Sequence, residues 1–337
     1  MRDFFQNKSI LITGGTGSIG SEILRQLLAL NPKVIRILSR DEAKQFNLAH
    51  ELKHHDNIRY LVGDIRDKER LYWAIEGIDI IFHAAALKQV PSCEYNPFEA
   101  VKTNVLGTQN VIEVALDERV KQLISISTDK AALPSNTMGA TKLLAERLVI
   151  GANFYKGLPH TRLSCVRFGN VLGSRCSIIP IINSQVKAGG PVTITDTGAT
   201  RFVMSIREAV SLVLRAAAKT VGGEIFVLKM PVVRIVDLIE VLVEELSPLY
   251  GKKPGDIKIE KIPLRRGEKI HEDLLTEEET HYAHDYKEFF VINYANGEGG
   301  GVPVYTSAKE QCLTKQEIKD LLKREGLLCQ NLLDSCF

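Results

Sequence analysis

A glycine-rich turn close to the N-terminus constrains the fold more than any other feature of this sequence. An apolar run at residues 9–13 leads into the heptapeptide Gly14-Gly15-Thr16-Gly17-Ser18-Ile19-Gly20, and apolar residues then recur at helical spacing over residues 21–30. This order predicts a strand, a tight turn and a helix. Glycines at positions 14, 17 and 20 fit a variant of the dinucleotide fingerprint, in which the backbone approaches a pyrophosphate at the helix N-terminus. A plain glycine loop is the alternative interpretation.

Strand and helix patterns alternate along the first half of the chain. Further apolar runs lie at residues 34–38, 58–62, 78–82 and 122–127, with helical patterns between them. This alternation predicts an α/β fold, a Rossmann-like doubly wound parallel sheet covered on both faces. The last of these strands delivers the residues that follow it to the carboxyl edge of the sheet, where ligands of such folds bind.

A change in character near residue 169 predicts a second domain. From there to about residue 290, glycines, prolines and shorter elements interleave. We expect residues 1–169 to form an NADP-binding Rossmann domain, completed by a strand near 224–228. Residues 170–337 are expected to form mainly a smaller C-terminal substrate-binding domain and a tail. Longer helices are predicted at residues 98–116, 138 to about 155 and 315–325, and a flexible loop at 297–303.

Residues at two strand ends are candidates for reading the cofactor. Arg40 follows the second strand about 20 residues after the last fingerprint glycine, where the residue that reads the ribose 2′-position belongs. An arginine there favours a 2′-phosphate and hence NADP, whereas the adjacent Asp41 could accept a ribose hydroxyl and keeps NAD as the alternative. Asp64, after the third strand, could accept from an adenine amino group or cap the helix that begins near Lys68.

Charge and composition exclude several classes of partner. The 337 residues include 43 Lys and Arg against 41 Asp and Glu, so the net charge of +2 gives no global attraction to nucleic acid or to a membrane surface. No apolar run approaches the roughly 18 residues of a membrane span, and the N-terminus has no apolar signal segment. We therefore expect a cytoplasmic protein. Six scattered cysteines without Cys-x-x-Cys spacing predict reduced thiols and no metal site.

Four further stretches carry a resemblance to a known family. They are Ala84–Lys88, Ser127–Ala131, Arg167–Ser174 and Arg266–Glu272. Together with the glycine turn they resemble the UDP-N-acetylglucosamine 4,6-dehydratases of the extended short-chain dehydrogenase/reductase family, over nearly the whole chain to about residue 290. The resemblance implies a hydro-lyase with a tightly bound, recycled NADP, a UDP-sugar substrate and a homo-oligomer. It also implies a role in making sugars for bacterial-type surface polysaccharides or glycoproteins, with or without epimerisation at C5.

The family reaction can be compared with the residues of the Thr128-Asp129-Lys130 triplet. The family oxidises sugar C4, eliminates water across C5 and C6, and returns the hydride to C6. Oxidation at C4 makes the C5 hydrogen acidic, so a base is required, and Lys130 can serve if burial or the nearby Lys142 favours its neutral form. Asp129 is then the candidate acid for the departing C6 hydroxyl. The alternative is a surface pair that caps the next element.

Met138 is a departure from the family pattern. In most of the wider family a tyrosine at this position, one helical turn before Lys142, removes the sugar hydroxyl proton, and methionine cannot exchange a proton. Either Thr128, Asp129 or a water relay does this work, or the site is inactive. A dehydratase is the favoured hypothesis. A nucleotide-sugar 4-epimerase or reductase and a non-catalytic NADP-binding regulator are the alternatives.

The expected site residues fall into three groups, and no metal ligand is among them. The catalytic candidates are Thr128, Asp129, Lys130 and Lys142. The cofactor-binding candidates are Gly14, Thr16, Gly17, Ser18, Ile19, Gly20, Ser39, Arg40, Asp64, Ile65, Ala84, Ala85, Ala86, Asn104 and Lys142. By the resemblance, the substrate-binding candidates are Asn170, Ser174, Arg266 and Glu268, with Lys269 beside them. Lys88, just past the fourth strand, could add positive charge near the sugar diphosphate, and Arg201 is a further candidate.

Overall fold

The computed structural model describes residues 1–154, 161–175, 177–295, 297 and 299–328. The chain divides into two compact units. Unit 1 comprises residues 1–168, 210–229 and 275–304, and unit 2 comprises residues 169–209, 230–274 and the chain from Tyr305 onward.

The strands and helices are numbered in chain order. The strands are β1 (Ser9–Thr13), β2 (Val34–Ser39), β3 (Ile58–Val62), β4 (Ile80–His83), β5 (Gln122–Ile126), β6 (Arg162–Arg167), β7 (Asn170–Leu172), β8 (Val192–Ile194), β9 (Thr200–Ser205), β10 (Glu224–Leu228), β11 (Val232–Arg234), β12 (Ile259–Lys261), β13 (Asp273–Leu275), β14 (Ala283–Asp285), β15 (Phe289–Asn293) and β16 (Tyr305–Thr306). The α-helices are α1 (Arg2–Phe5), α2 (Ser18–Leu28), α3 (Glu42–Glu51), α4 (Lys68–Ile75), α5 (Val90–Tyr95), α6 (Pro97–Ala100), α7 (Gly107–Asp117), α8 (Thr137–Gly151), α9 (Ile178–Ala188), α10 (Ile206–Lys219), α11 (Ile235–Leu246), α12 (Glu277–Thr280) and α13 (Lys315–Arg324).

Unit 1 is built on a nine-stranded sheet in the order β14-β15-β10-β6-β5-β4-β1-β2-β3. The seven strands from β10 to β3 pair in parallel, and β1 lies between β2 and β4. Strands β1, β4 and β5 are almost completely buried, as expected for parallel strands with both faces covered. The predicted Rossmann-like doubly wound fold is confirmed.

The sheet extends further than the sequence indicated. The strand expected near residues 224–228 is β10, and it pairs with β6. Two more strands, β15 and β14, then add to β10 in antiparallel orientation. Because four of the five residues of β15 are buried, the segment 275–304 completes unit 1, although the sequence placed it in the smaller domain.

Unit 2 contains a three-stranded sheet, β11-β9-β7, and a two-stranded sheet, β12-β8. Its core packs apolar residues of α9, α11 and α13 together, among them Ile179, Leu242 and Leu322, each fully buried. Ion pairs from Lys315 to Glu240 and from Lys319 to Glu245 add to the packing of α13 on α11. These contacts place the terminal helix within unit 2.

Several predicted boundaries change in the structure. The single helix expected at residues 98–116 is α6, a π-helical segment at Val101–Leu106, and α7. Helix α8 ends at Gly151, while Tyr155, and Glu298 of the expected loop, lie outside the described residues. No helix in the described part of the chain is long and apolar enough to cross a membrane. Cysteines 93, 165 and 312 are free, and cysteines 176, 329 and 336 lie outside the described ranges. Within those ranges, no group of His, Cys, Asp and Glu side chains is arranged to hold a metal ion.

Candidate active site

The glycine turn after β1 has the close backbone contacts that a dinucleotide site requires. Gly14 has a φ of +66°, and a Cβ there would lie 2.7 Å from the backbone of Ala85. A Cβ at Gly20 would lie 2.4 Å from the carbonyl oxygen of Gly14. Helix α2 begins after Gly17 and has no acidic residue in its first turn, so the positive end of its dipole is not neutralised there. The turn therefore fits a bound pyrophosphate.

Polar groups at the ends of β2 and β3 interact with one another. The hydroxyls of Thr16 and Ser39 are 2.7 Å apart, so the glycine turn is tied to the end of β2. The guanidinium of Arg40, with about half of its side chain exposed, lies 3.5 Å from Asp64, which Arg66 also holds through two side-chain hydrogen bonds of 2.9 and 2.7 Å. Burial would raise the pKa of Asp64, but the bonds from Arg66 outweigh it and lower that pKa.

The structure shows which residues cap the helices that follow β2 and β3, and this bears on the alternatives stated for Asp41 and Asp64. Asp41 caps helix α3, because its carboxylate accepts from the backbone N–H of Lys44. The helix after β3 is capped by Asp67 and not by Asp64, so that interpretation of Asp64 is wrong. The capping residue lies three positions later, directly before the helix. Ile65 is buried, and a Cβ added at Gly107 would lie 2.7 Å from its side chain.

Asn104 braces the segment that follows β4. Its amide accepts from the backbone N–H of Leu87 at 2.8 Å and donates to the carbonyl of the same residue at 3.0 Å. It also donates to the hydroxyl of Thr141, which precedes Lys142. The segment Ala84–Ala86 that it supports is the one whose backbone meets Gly14.

The residues after β5 form the predicted catalytic triplet. A 3₁₀ turn at Asp129–Ala131 reverses the chain, and the Asp129 N–H donates to the carbonyl of Phe168. Thr128 Oγ1 donates to Asp129 Oδ1 at 2.8 Å, and Lys130 Nζ donates to the same oxygen at 3.0 Å. Asp129 is fully buried, and its Oδ2 has no hydrogen-bond partner among the described residues. The turn therefore brings the two neighbours together, and Asp129 is not part of an exposed surface pair.

Lys142 lies on α8 beneath the triplet. Its ammonium donates to the carbonyl of Ile126, the last residue of β5, at 2.6 Å. Burial lowers the pKa of Lys142, while Cys165 and Glu146 oppose that shift. The first turn of α8 also approaches the triplet closely, since a Cβ at Gly139 would lie only 2.3 Å from the carbonyl oxygen of Lys130.

Met138 occupies an apolar position. It is 4% exposed and packs with Cys93 and Ala100, with Leu87 and Val90 partly buried against the same cluster. The thioether fills a small core between α5, α6 and α8. Met138 therefore has a packing role and supplies no group that could exchange a proton with a ligand.

Unit 1 contains a buried ion cluster that the sequence does not predict. Arg167 is completely buried and donates to Glu146 at 3.0 and 2.6 Å and to Glu279 at 2.8 and 2.9 Å. Glu146 follows Lys142 by one helical turn on α8. The spacing of Glu146 from Lys142 is the only sequence signal that places a member of the cluster near the predicted site. The sequence does not connect Glu279 with Arg167, because the two residues are 112 positions apart along the chain.

The predicted substrate residues of unit 2 include two that brace a loop. Arg201 is 8% exposed, and its guanidinium donates to the carbonyls of Thr200, Lys269 and Ile270 at 2.7 to 2.8 Å. Glu268 accepts from the hydroxyl of Thr195 at 2.8 Å and from the N–H of Arg265 at 3.2 Å. These contacts hold the loop 265–270 in shape.

The remaining predicted substrate residues divide between the two units. Asn170 begins β7, and its buried Oδ1 has no hydrogen-bond partner in the described part of the chain. Ser174 is 8% exposed, and Arg266 is exposed. These three belong to unit 2, whereas the exposed Lys88 belongs to unit 1 together with the triplet.

Comparison with known proteins establishes the family. Residues 10–294 match the family described as polysaccharide biosynthesis protein. The chain belongs to this family. Three relatives and one solved structure show what this member of the family is similar to.

The most informative relative of this family member is the inverting UDP-N-acetylglucosamine 4,6-dehydratase of Campylobacter jejuni, 42% identical over 86% of this chain and 84% of the relative. An uncharacterised membrane protein of Methanocaldococcus jannaschii is 57% identical over 97% and 98%. A UDP-glucose 4-epimerase of Rickettsia typhi is 40% identical over 94% and 96%. The X-ray structure of Pen from Bacillus thuringiensis superposes with a TM-score of 0.91 at 45% identity, covering 95% of this chain and 98% of Pen.

These comparisons confirm two expectations about the chain. The resemblance to the UDP-N-acetylglucosamine 4,6-dehydratases is confirmed, since the family match and the dehydratase relative both span most of the chain. The classification as a hydro-lyase enzyme is confirmed by the same dehydratase relative. The presence of an epimerase among the relatives keeps a second reaction in consideration.

Proposed function

We propose that the protein is a nucleotide-sugar 4,6-dehydratase that converts UDP-N-acetylglucosamine to a UDP-2-acetamido-4-keto-2,6-dideoxyhexose. The observation that carries this proposal is the 3₁₀ turn after β5, which holds Lys130 Nζ 3.0 Å from Asp129 Oδ1. Elimination across C5 and C6 needs a base and an acid that act on adjacent carbons. This pair supplies both, and a relative with that activity is 42% identical to this chain.

The first unit has residues suited to a nicotinamide dinucleotide. The turn at Gly14–Gly20 would hold the pyrophosphate, and backbone atoms leave no space for a side chain at Gly14 or Gly20. Arg40, Ser39 and Thr16 would surround a ribose 2′-phosphate, which favours NADP over NAD. When bound, this cofactor would supply the hydride acceptor for C4 and the hydride donor for C6.

Asp129 and Lys130 divide the roles of acid and base between them. The proton of the C4 hydroxyl converts Asp129 to a carboxylic acid before the elimination, and Lys130, whose Nζ lies 3.0 Å from Asp129 Oδ1, acts as the neutral amine. The amine removes the C5 proton, and the acid protonates the C6 hydroxyl as it leaves as water. Lys130 then returns its proton to C5, so both groups regain their starting states.

Thr128 is the proposed route for the C4 hydroxyl proton. Its hydroxyl donates to Asp129 Oδ1 at 2.8 Å, so it can accept the sugar proton while it passes its own proton to the carboxylate. This relay replaces the tyrosine, because Met138 lies in an apolar cluster and has no exchangeable proton. Lys142, held at the carbonyl of Ile126, would bind the nicotinamide ribose and supply positive charge.

The loop 265–270 is proposed to bind the nucleotide. Arg266 and Lys269 would hold the diphosphate, whereas Arg201 and Glu268 hold the shape of the loop through the contacts described above. Asn170 and Ser174 are proposed to contact the sugar nucleotide, and Lys88 to add positive charge. A homo-oligomer and a role in surface-polysaccharide or glycoprotein sugar synthesis remain part of the proposal.

The proposal is tested by incubating purified protein with UDP-N-acetylglucosamine and following the 4-keto-6-deoxy product by its absorbance in base. Lys130→Ala and Asp129→Asn are expected to abolish product formation and to leave NADP binding intact. Lys121→Ala is the matched control, since Lys121 is two-thirds exposed and precedes the opposite end of β5. Full activity in Lys130→Ala would refute the assignment of the base.

The second candidate function is 4-epimerisation, which the relative from Rickettsia typhi favours. In that case the product would keep its C6 hydroxyl, and the C4 epimers would interconvert without loss of water. Wild-type protein that binds NADP but converts no nucleotide sugar would instead indicate a regulator.

A further inference from the structure

His83, the last residue of β4, has a hydrogen-bond partner for each ring nitrogen inside unit 1, although the proposed chemistry does not use it. It is 2% exposed. Its Nδ1 lies 2.7 Å from Thr13 Oγ1, and its Nε2 lies 2.9 Å from Thr108 Oγ1. The imidazole therefore links the end of β1 to helix α7 through the end of β4.

The hydrogen-bond partners determine which nitrogen carries the proton. Thr108 Oγ1 donates its only proton to the carbonyl of Asn104 at 2.7 Å, so it must accept from His83 Nε2–H. Nδ1 of the neutral ring is then unprotonated and accepts from the hydroxyl of Thr13. That hydroxyl in turn accepts from the backbone N–H of Ala85 at 3.4 Å. The donors thus all run in one direction, from Ala85 to Asn104.

This chain of hydrogen bonds fastens the two backbone segments that face the proposed pyrophosphate site. Thr13 directly precedes Gly14, and Ala85 is the residue whose backbone would meet a Cβ at Gly14. A direct bond from the Ala84 N–H to the Thr13 carbonyl, 3.1 Å long, runs beside the same contact. The hydroxyl of Thr13, and through it the imidazole, therefore adds to the backbone contacts that set the spacing between the two segments.

The environment keeps the ring neutral. Burial, assisted by the positive charge of Lys142, lowers the pKa of His83 to about 3. The imidazole is therefore neutral throughout the physiological pH range. Its tautomer is fixed because the hydroxyl of Thr108 can only accept from Nε2–H, while the hydroxyl of Thr13 donates its proton to Nδ1.

We propose that His83 is a positioning residue for the cofactor, whose Nε2–H tautomer holds the ends of β1 and β4 at the separation that the dinucleotide requires. This inference rests on the proposed function, since it assumes that a dinucleotide binds at Gly14–Gly20. The residue takes no part in proton transfer.

Two matched variants test the inference by NADPH binding. Thr108→Val removes the acceptor of His83 Nε2–H, and leaving that buried donor unpaired is expected to weaken NADPH binding about tenfold. Thr103→Val is the control: Thr103 is also buried, lies in the neighbouring π-helical segment, and has a hydroxyl without a hydrogen-bond partner among the residues described. It should bind NADPH as wild type does. His83→Gln, which keeps one donor and one acceptor, should bind more tightly than His83→Leu.

Nitrogen NMR of the full-length protein labelled at histidine provides a readout that needs neither folded variants nor cofactor. The account predicts a His83 ring protonated at Nε2 alone, unchanged from pH 8 down to about 5. An Nδ1-protonated or cationic ring at neutral pH would overturn the inference, as would equal NADPH affinity in Thr108→Val and Thr103→Val. If wild type binds neither NADP nor NADPH, the proposed function fails, and the NMR result still decides the tautomer.

Discussion

The buried ion cluster beneath α8 yields a prediction that separates stability from catalysis. Arg167 is shared by Glu146 and Glu279, and Lys142 is buried one turn from Glu146. The two cations and two carboxylates compensate one another. Glu146→Gln or Glu279→Gln therefore leaves one positive charge uncompensated in the interior.

The expected loss of stability is similar for the two variants. Removing one partner of a buried ion pair costs about 3–5 kcal/mol, and glutamine keeps the shape and part of the hydrogen bonding, so we expect a value near 3 kcal/mol. For a chain of this size that corresponds to a fall in melting temperature of about 4 °C. Urea denaturation of both variants measures it.

The pH dependence of activity should distinguish the variants. The negative charge of Glu146 opposes the lowering of the Lys142 pKa by burial, so removing it lowers that pKa further. Lys142 then loses its proton at a lower pH, and the alkaline limb of kcat/KM moves down in Glu146→Gln but not in Glu279→Gln. Among the described residues, Lys142 also faces Cys165, whose pKa burial raises well above its usual value, and His83, whose pKa burial lowers to about 3.

The assay is product formation at saturating NADP between pH 6 and about 10, with each variant confirmed to be folded at every pH used. An equal shift of the alkaline limb in both variants would refute the reasoning, because it would show that Glu279 reaches Lys142 as effectively as Glu146 does. An unchanged alkaline limb in Glu146→Gln would show that Lys142 is not the group whose deprotonation produces that limb.

Two further predictions concern backbone support of the site. Gly139→Ala places a Cβ 2.3 Å from the carbonyl oxygen of Lys130. Because the backbone must move to accept this Cβ, we expect turnover in a steady-state assay to fall at least about tenfold. Gly255→Ala is the control and should leave turnover unchanged, since the space around Gly255 is open. Arg201→Lys loses the planar guanidinium that binds the carbonyls of Lys269 and Ile270. KM for the nucleotide sugar should therefore rise about tenfold, with a smaller change in kcat. A rise in kcat alone would contradict this role.

The sequence predicts the core of unit 1 because local periodicity and parallel pairing determine it. The glycine turn, the alternation of strands and helices, and the arrival of Thr128-Asp129-Lys130 at the end of β5 all follow from patterns within about 20 residues. The pairing of β15 with β10 does not, because unit 2 residues separate those strands in the chain and only tertiary packing selects the edge.

The same limit applies to the supporting groups of the site. The sequence shows that Met138 replaces a tyrosine, but not that Cys93 and Ala100 surround it. Arg167 and Glu279 look like ordinary surface charges until the fold buries them together. The role of His83 has no local signal in the sequence either, because its partners, Thr13 and Thr108, are 70 and 25 residues away.

The central claim is tested most directly by following the hydrogen at C4 of the sugar. UDP-N-acetylglucosamine carrying deuterium at C4 is incubated with the protein and NADP, and the product is analysed by mass spectrometry and proton NMR. The account predicts a product that has lost one water and carries the deuterium at C6, with no net reduction of NADP. Deuterium that remains at C4 in a product with its C6 hydroxyl intact would contradict it.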